Sequence, residues 1–443
     1  MFLFLKYLLP SDYFLLKRKT KGYIFPNLDS IPESVIQQLE SETRYKTDIA
    51  RDYDLSWQVI KKGFLDDVPT YTERKSIALH DEYVFVRRYF NKAWVLYTLL
   101  MRLITFNNPF KELTAFFRTA SVKRSDTLDE PLIVQPKNDK AENSFINNSP
   151  KISVIIPTLN RYSYLKDVLE GFEKQDYINF EVIVVDQSEP FQSNFYDTFN
   201  LDITVIYQKE KALWLARNTA IKQSKADIIA LSEDDVRIQS NWLSAHLECL
   251  SKYNADISAG VFYPLGKTIP KNRSYFTIAS QFATGNAMLY KSVFKEVGLF
   301  DRQFEKQRMG DGEFGLRCFL KGFKNVSNPL ASCVDVKAST GGLREMGSWD
   351  AFRTSSWFAP RPIPSVLYFF RSYFGNIAAR YALLKYVPQS IMPYQFKQNK
   401  ALTIVGVFVS LLLAPLIGYQ VVKSWNLASK KLKEGPMIDE LGT

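Results

Sequence analysis

The chain is predicted to fold as an α/β protein on a mainly parallel sheet with helices on both faces, and three observations lead there. From Lys151 onward, short apolar runs of strand length alternate with amphipathic stretches of helical period. The runs end on Pro157, on Asp186 and on the acidic triplet Glu233-Asp234-Asp235, the positions where open α/β sheets bind ligands. With 443 residues, 46% of them apolar and 14% aromatic, the chain has ample material for a packed core and room for more than one domain.

Taken in order, Ile152–Ile156 is a buried strand stopped by Pro157, and Tyr164 to Phe172 is a helix with Leu165, Val168, Leu169 and Phe172 on one face. Glu181–Val185 is the second strand, ending on Asp186. Ile203–Tyr207 is a third, Leu213–Ile221 a helix, and Ile228–Leu231 the strand that delivers the triplet. Ahead of this domain, residues 1–125 mix aromatic and basic residues with helical periodicity, as in Ala93 to Phe106, and read as a mostly helical accessory region. The amphipathic basic stretch from Trp94 to Ile104 fits packing on the neighbouring domain better than a membrane surface. Residues 126–150, rich in Asn and Pro, read as a linker, and 151–345 as the α/β domain. Residues 346–443 form an aromatic, basic, proline-punctuated helical region containing the uncharged stretch 401–422.

That stretch is long enough to span a bilayer, but Gly406, Pro415, Gly418 and Gln420 interrupt it. Lysines flank it on both sides, so a re-entrant or interfacial helical hairpin fits as well as a span. The apolar start, Met1 to Pro10, lacks a basic leader and a small-residue cleavage site and does not read as a signal peptide. A net charge of +11 favours an anionic partner. Nucleic acid is disfavoured, because the basic residues are spread out and neither zinc-finger nor RNP-like spacing occurs. Cys249, Cys318 and Cys333 show no CxxC spacing and read as reduced core residues of a cytosolic protein. With His80 and His246 the sole histidines, a histidine-rich zinc site and a Ser-His-Asp triad are both disfavoured; His246 lies on a helical pattern and reads as a surface or packing residue.

Like charges crowded at the end of a buried strand repel one another unless a cation or a ligand neutralises them. Glu233-Asp234-Asp235 therefore has two readings when taken alone: a divalent-metal and diphosphate site, or a solvated acidic turn. No glycine-rich phosphate loop follows the first strand, which excludes a P-loop and a dinucleotide fingerprint.

The ordered segments Val154-Ile155-Ile156-Pro157-Thr158-Leu159-Asn160-Arg161, Val184-Val185-Asp186, Ala216-Arg217-Asn218-Thr219-Ala220, Glu233-Asp234-Asp235, Thr284-Gly285-Asn286-Ala287-Met288, Val297-Gly298-Leu299-Phe300-Asp301 and Gly310-Asp311-Gly312-Glu313-Phe314-Gly315-Leu316-Arg317 resemble a family 2 glycosyltransferase of the GT-A (Rossmann-like) fold. The resemblance covers somewhat under half of the chain. It implies an inverting, metal-dependent enzyme that moves a sugar from a nucleotide-diphosphate donor to a hydroxyl of a glycan or lipid-linked acceptor, in cell-surface polysaccharide or glycolipid synthesis. The implied setting is the cytoplasmic face of the cell membrane, with C-terminal helices docking on the membrane surface.

The resemblance assigns the catalytic base to Asp311, with Glu313 as the alternative, and donor contacts to Pro157, Thr158, Asn160, Arg161, Asp186, Arg217, Asp234, Gly285, Asn286 and Glu313. Asp186 would accept hydrogen bonds from the base of the nucleotide; a turn cap is its other reading. Glycines 310, 312 and 315 would let backbone approach the sugar. Mn²⁺ or Mg²⁺ would be held by Asp235, Glu233 and Asp335. Asp335 stands where the family often has histidine, so a metal ligand and a surface acid both fit it. Thr354-Ser355-Ser356-Trp357 does not match the Gln-x-x-Arg-Trp motif of processive members, which favours single addition. Two other classes are compatible in part: a nucleotide-sugar-binding subunit without catalysis, and a nucleotidyltransferase, disfavoured by the missing phosphate loop.

Overall fold

A computed structural model describes residues 2–133, 149–336, 338, 356–391 and 399–442. Most of the expected linker, residue 337 and residues 339–355, which include Thr354 and Ser355, lie outside the described residues. The chain divides into two units, one of Met1–Val134 with Trp349–Ser429 and one of Gln135–Ser348 with Lys430–Thr443.

The first unit is helical. Its first segment supplies α1 (Leu5–Leu8), α2 (Glu33–Ile36), α3 (Asp48–Lys61), α4 (Leu79–Tyr89), α5 (Lys92–Ile104) and α6 (Pro109–Arg118). Its centre is apolar and aromatic, with Phe2 stacked on Phe85 and Trp57 edge-on to Phe85. Buried Arg88 is matched by Glu40, Glu42 and Asp54 at 3.1, 3.4 and 3.4 Å.

The second unit holds the sheet. Its strands are β1 (Ile152–Thr158), β2 (Phe180–Asp186), β3 (Ile203–Tyr207), β4 (Ile228–Ser232), β5 (Val236–Ile238), β6 (Ile257–Pro264), β7 (Thr277–Ile278), β8 (Asn286–Tyr290) and β9 (Asn325–Asp335). Its helices are α7 (Tyr162–Phe172), α8 (Leu213–Gln223), α9 (Trp242–Lys252), α10 (Lys291–Val297) and α11 (Gly310–Lys321). Among the described residues the strand order is β3-β2-β1-β4-β8-β6-β9-β5, with β7 beside β9. The half from β3 to β4 is parallel, which the βαβ rhythm dictates because each crossover helix carries the chain back to the end of the sheet where the previous strand began. Beyond β4 the sheet becomes mixed: β8 runs antiparallel to β4 and β6, while β6 and β9 are parallel. The α/β class is the expected one; the antiparallel strands are an addition that the strand pattern before residue 232 did not carry.

Helices cover both faces in two groups. α7 and α9 meet through Phe172 and Trp242, while α8, α10 and α11 share a cluster of Trp214, Phe294, Phe300 and Phe314. Pro157 does not stop β1. The strand continues to Thr158 along β2, its pairing with β4 having ended at Ile155 opposite Leu231. Cys249, Cys318 and Cys333 are buried and unpaired, as their spacing suggests.

The last segment of the chain contributes α12 (Pro364–Tyr373), α13 (Gly375–Tyr386), α14 (Lys400–Leu412) and α15 (Ala414–Glu434), the final turn of α15 belonging to the second unit. Among the described residues no single helix is long and apolar enough to cross a membrane; Ile404–Leu412 and Ala414–Glu434 form a pair bent by 87°. Pro415 stands in the first turn of α15, where its missing N–H leaves no helix bond unmade. The tail then packs within the second unit: the Leu299 N–H donates to the Asp439 carbonyl at 2.8 Å and the Met437 N–H to Asp301 Oδ1 at 2.9 Å.

Candidate active site

The carboxyl ends of β1, β2 and β4 lie side by side, and the expected rim residues meet there. Thr158 at the end of β1 donates its hydroxyl to Asp234 Oδ2 at 2.8 Å. Asn160, at a left-handed φ of 55°, turns the chain and donates its N–H to the Ser188 hydroxyl oxygen at 2.8 Å. Arg161 then bridges two members of the triplet, with Nη1 3.0 Å from Asp234 and 3.2 Å from Asp235. Asp234 is almost wholly buried; burial pushes its carboxyl up to about 6, against the lowering by Arg161 and Thr158. Asp235 is also held above its ordinary range, by burial first and then by the charge of Glu233, with Asp335 adding to it.

Glu233 takes a different partner. The Arg217 guanidinium, fully buried, donates from Nη2 to Glu233 at 3.3 Å and to the Thr284 carbonyl at 3.3 Å, and lies over the Trp214 ring. This is not the exposed pair that an arginine on a surface helix makes. The Glu233 side chain rests on Gly285, where an added Cβ would come within 2.6 Å of the glutamate Cδ. Any larger residue at 285 would displace it.

Asp311 begins α11. It is half-buried, and its Oδ1 accepts the Gly312 N–H at 2.8 Å. The helix starts at Gly310, where a Cβ would lie 2.4 Å from the Trp214 ring, so glycine is required at that position. Trp214 sits one turn before Arg217 on α8. A continuous set of contacts thus runs from the start of α11, through Trp214 and Arg217, to Glu233 and Gly285.

Several expected assignments change. Asp186 is fully buried and already engaged: the Tyr162 and Tyr196 hydroxyls donate to Oδ2 at 2.6 and 2.8 Å, and the Ser188 N–H donates to Oδ1 at 2.8 Å. It caps its own turn and anchors two tyrosines. Asn286 faces the core rather than the rim. Its Oδ1 accepts from Trp242 Nε1 and His246 Nε2 at 2.9 and 3.1 Å, and its Nδ2 donates to the Ala331 carbonyl at 3.0 Å. Because Oδ1 only accepts, His246 carries its proton on Nε2 and receives the Ser258 hydroxyl on Nδ1 at 2.7 Å. His246 is therefore a packing residue. Glu313 is buried and paired with Arg317 at 2.7 and 3.0 Å, while Arg317 also donates to the carbonyls of Val297, Gly298 and Leu299. Gly310 and Gly315 make room for Trp214 and Phe282, whereas Gly312 meets no close neighbour. Tyr162, Tyr196 and Trp214 were missed. Trp214, three residues before Arg217, carried a usable signal; the tyrosines carried none, since their role depends on folding onto Asp186.

Among the described residues no group of three or more His, Cys, Asp or Glu side chains is gathered as a metal-ligand set. Glu233, Asp235 and Asp335 are not assembled as one, because Glu233 turns to Arg217 while Asp235 accepts from Arg161 and from the Ala338 N–H at 3.2 Å. Asp335, the last residue of β9, is registered against Val236. The donor chemistry still suits a hard divalent cation. All three groups are carboxylates, their mutual repulsion is expressed at Asp235, and such cations bind through one or two carboxylates plus substrate phosphates.

Residues 153–301 match the model of Glycosyl transferase family 2, about a third of the chain. Over this span the chain is similar to the family 2 glycosyltransferases. A span of 163 residues is 27% identical to glycosyltransferase GlyA of Streptococcus pneumoniae, covering 36% of this chain and 22% of that protein. Another of 167 residues is 30% identical to glycosyltransferase AglE of Haloferax volcanii, covering 35% and 53%. The chain thus spans about half or less of the length of these relatives. Among solved structures, S. aureus TarS in complex with UDP-GlcNAc aligns at TM-score 0.39 and 18% identity, over 64% of this chain and 92% of that one. The matched span holds Thr158, Asp186, Arg217 and the triplet, while Asp311 and α11 lie beyond it.

Two predictions follow from the packing. Gly310→Ala drives a methyl into Trp214 and should cost about 1–3 kcal/mol of stability, read by chemical denaturation, and lower any activity with it. Burial lowers the His246 pKa to about 3, so the unfolded chain binds the proton that the folded one excludes. The stability linked to the neutral ring is present above about pH 6.5 and is lost as pH falls toward 3, the loss amounting to on the order of 3 kcal/mol by about pH 4. Denaturation of His246→Gln should show a flatter acid limb than wild type.

Proposed function

We propose that the protein transfers a sugar, with inversion, from a nucleotide-diphosphate donor to a hydroxyl of a glycan or lipid-linked acceptor in cell-surface polysaccharide or glycolipid synthesis. The observation that carries this reading is the contact path that joins the start of α11, the helix on which Asp311 lies, through Trp214 and Arg217 to Glu233 at the carboxyl end of β4. The family match over the sheet supports it.

In this reading the donor lies across the rim formed by Pro157, Thr158, Asn160 and Arg161, with Asp234 held in place by Thr158 and Arg161. Asp186 acts through Tyr162 and Tyr196, which it orients toward the nucleoside side of the rim. Arg217 is a positioning residue that fixes Glu233, and Gly285 leaves the space for it. Asp235, with Glu233 and Asp335 nearby, would hold Mn²⁺ or Mg²⁺, which when bound neutralises charge on the leaving diphosphate. Asp311 accepts the acceptor hydroxyl's proton while that oxygen attacks the anomeric carbon and the bond to the diphosphate breaks. Its Oδ1 is held by the Gly312 N–H, which leaves Oδ2 for the proton. The buried pairing of Glu313 with Arg317 favours Asp311 over it as the base. The exposed apolar side chains of α14, Ile404, Phe408, Leu411 and Leu412, support attachment at the cytoplasmic membrane face.

Nucleoside diphosphate release should be followed over a panel of donors and acceptors with Mg²⁺ or Mn²⁺. Asp311→Asn should lower turnover by about 10²–10⁴-fold with donor affinity retained, and Asp235→Asn should weaken metal-dependent donor binding. Turnover of Asp311→Asn at the wild-type rate would remove it as base. Metal-dependent donor binding without turnover for any pair would instead identify a binding subunit without catalysis.

A further inference from the structure

The helices α5 and α6 are turned inside out relative to a water-facing hairpin. On α6 the acid points inward: Glu112 is buried, receives Arg102 at 2.9 and 2.6 Å and the Tyr83 hydroxyl at 2.8 Å, while Phe110 and Phe117 stand 79% and 67% exposed. Leu113 shares that outer face. On α5 a stripe of Val95, Thr98, Leu99 and Met101 is buried. A second stripe, Leu96, Leu100 and Ile104 at four-residue spacing, is left outside. Between the helices Phe106 is 98% exposed at a left-handed φ of 58°, a conformation that a bulky residue rarely adopts. The turn that presents it is fixed: Asn107 donates to the Arg102 carbonyl at 3.0 Å, and Asn108 caps α6 ahead of Pro109.

A continuous apolar face of this kind on a soluble surface marks an interaction site. Its charge identifies the occupant. From Lys92 to Arg124 the sole acid is the buried Glu112, whereas Lys92, Lys111, Arg118, Lys123 and Arg124 are all exposed. Aromatic and aliphatic side chains rimmed by cations suit the acyl and headgroup boundary of an acidic bilayer. A second copy suits it poorly, because a two-fold contact would set the two basic rims against each other.

We infer that the α5–α6 hairpin is a membrane-inserting element that binds anionic lipid surfaces, with Phe106, Phe110 and Phe117 entering the interface. The inference does not rest on glycosyl transfer and concerns a different segment from the bent α14–α15 pair. Flotation of the full chain with vesicles of phosphatidylcholine alone, or mixed with phosphatidylglycerol, tests it. Wild type should bind the anionic vesicles preferentially and release at high salt. The variant Phe106→Asn, Phe110→Gln, Phe117→Gln should lose about tenfold or more of that binding at an unchanged unfolding midpoint. Lys111→Glu with Arg118→Glu should abolish the preference for anionic lipid. Unchanged binding by the triple-phenylalanine variant would overturn the inference, as would a loss confined to Phe408→Gln with Leu412→Gln on α14. Equal binding to neutral vesicles would overturn its anionic specificity. Self-association of wild type that the triple variant abolishes, without vesicle binding, would assign the face to a second copy.

Discussion

The ion pairs of Arg161 and Arg217 with the acids after β4 are the contacts on which the rest of the candidate site depends. Three consecutive carboxylates at a strand end repel one another, and each guanidinium divides the problem differently. Arg161 lies across Asp234 and Asp235, tying the β1 turn to the end of β4. Arg217 reaches Glu233 from α8 and holds the Thr284 carbonyl at the entry to β8. Removing either partner of such a buried pair leaves an uncompensated charge, which is far costlier than losing an exposed one. The repulsion that remains is felt at Asp235, beside Glu233 and Asp335.

The same arginine joins this electrostatic centre to the apolar frame. Arg217 lies over Trp214, and Trp214 accepts the α11 start only because residue 310 has no side chain. Phe282 occupies the equivalent gap at Gly315, while Asn286, Trp242 and His246 stiffen β8 and α9 from below. The rim is therefore held from beneath by close packing, so a volume change at a glycine distant from the chemistry would reach Asp311.

The helical unit follows a different rule. Its buried face is aromatic and contains matched charges, as at Arg88 and Glu112, whereas its α5–α6 face presents large apolar groups outward. A hairpin that spends an acid on its interior and leaves phenylalanines outside is adapted to a surrounding other than bulk water.

The succession of strands through β4, the acidic strand ends and the order of motifs were all legible in the chain. Each depends on local periodicity or on residue type at a strand end, and these survive without knowledge of the third dimension. The place of the triplet at the end of β4 was legible for the same reason. The direction in which a side chain points was not. Asn286 and Glu313 stand in recognisable segments yet face Trp242 and Arg317, and Asp186 spends its acceptors on two tyrosines. Nor could spacing separate the buried stripe of α5 from its exposed one, since both repeat with the helical period. The sequence alone determined which elements form and where their acidic ends fall. Only the tertiary structure decided which polar groups stay at the rim, because burial and partner choice depend on elements far apart in the chain.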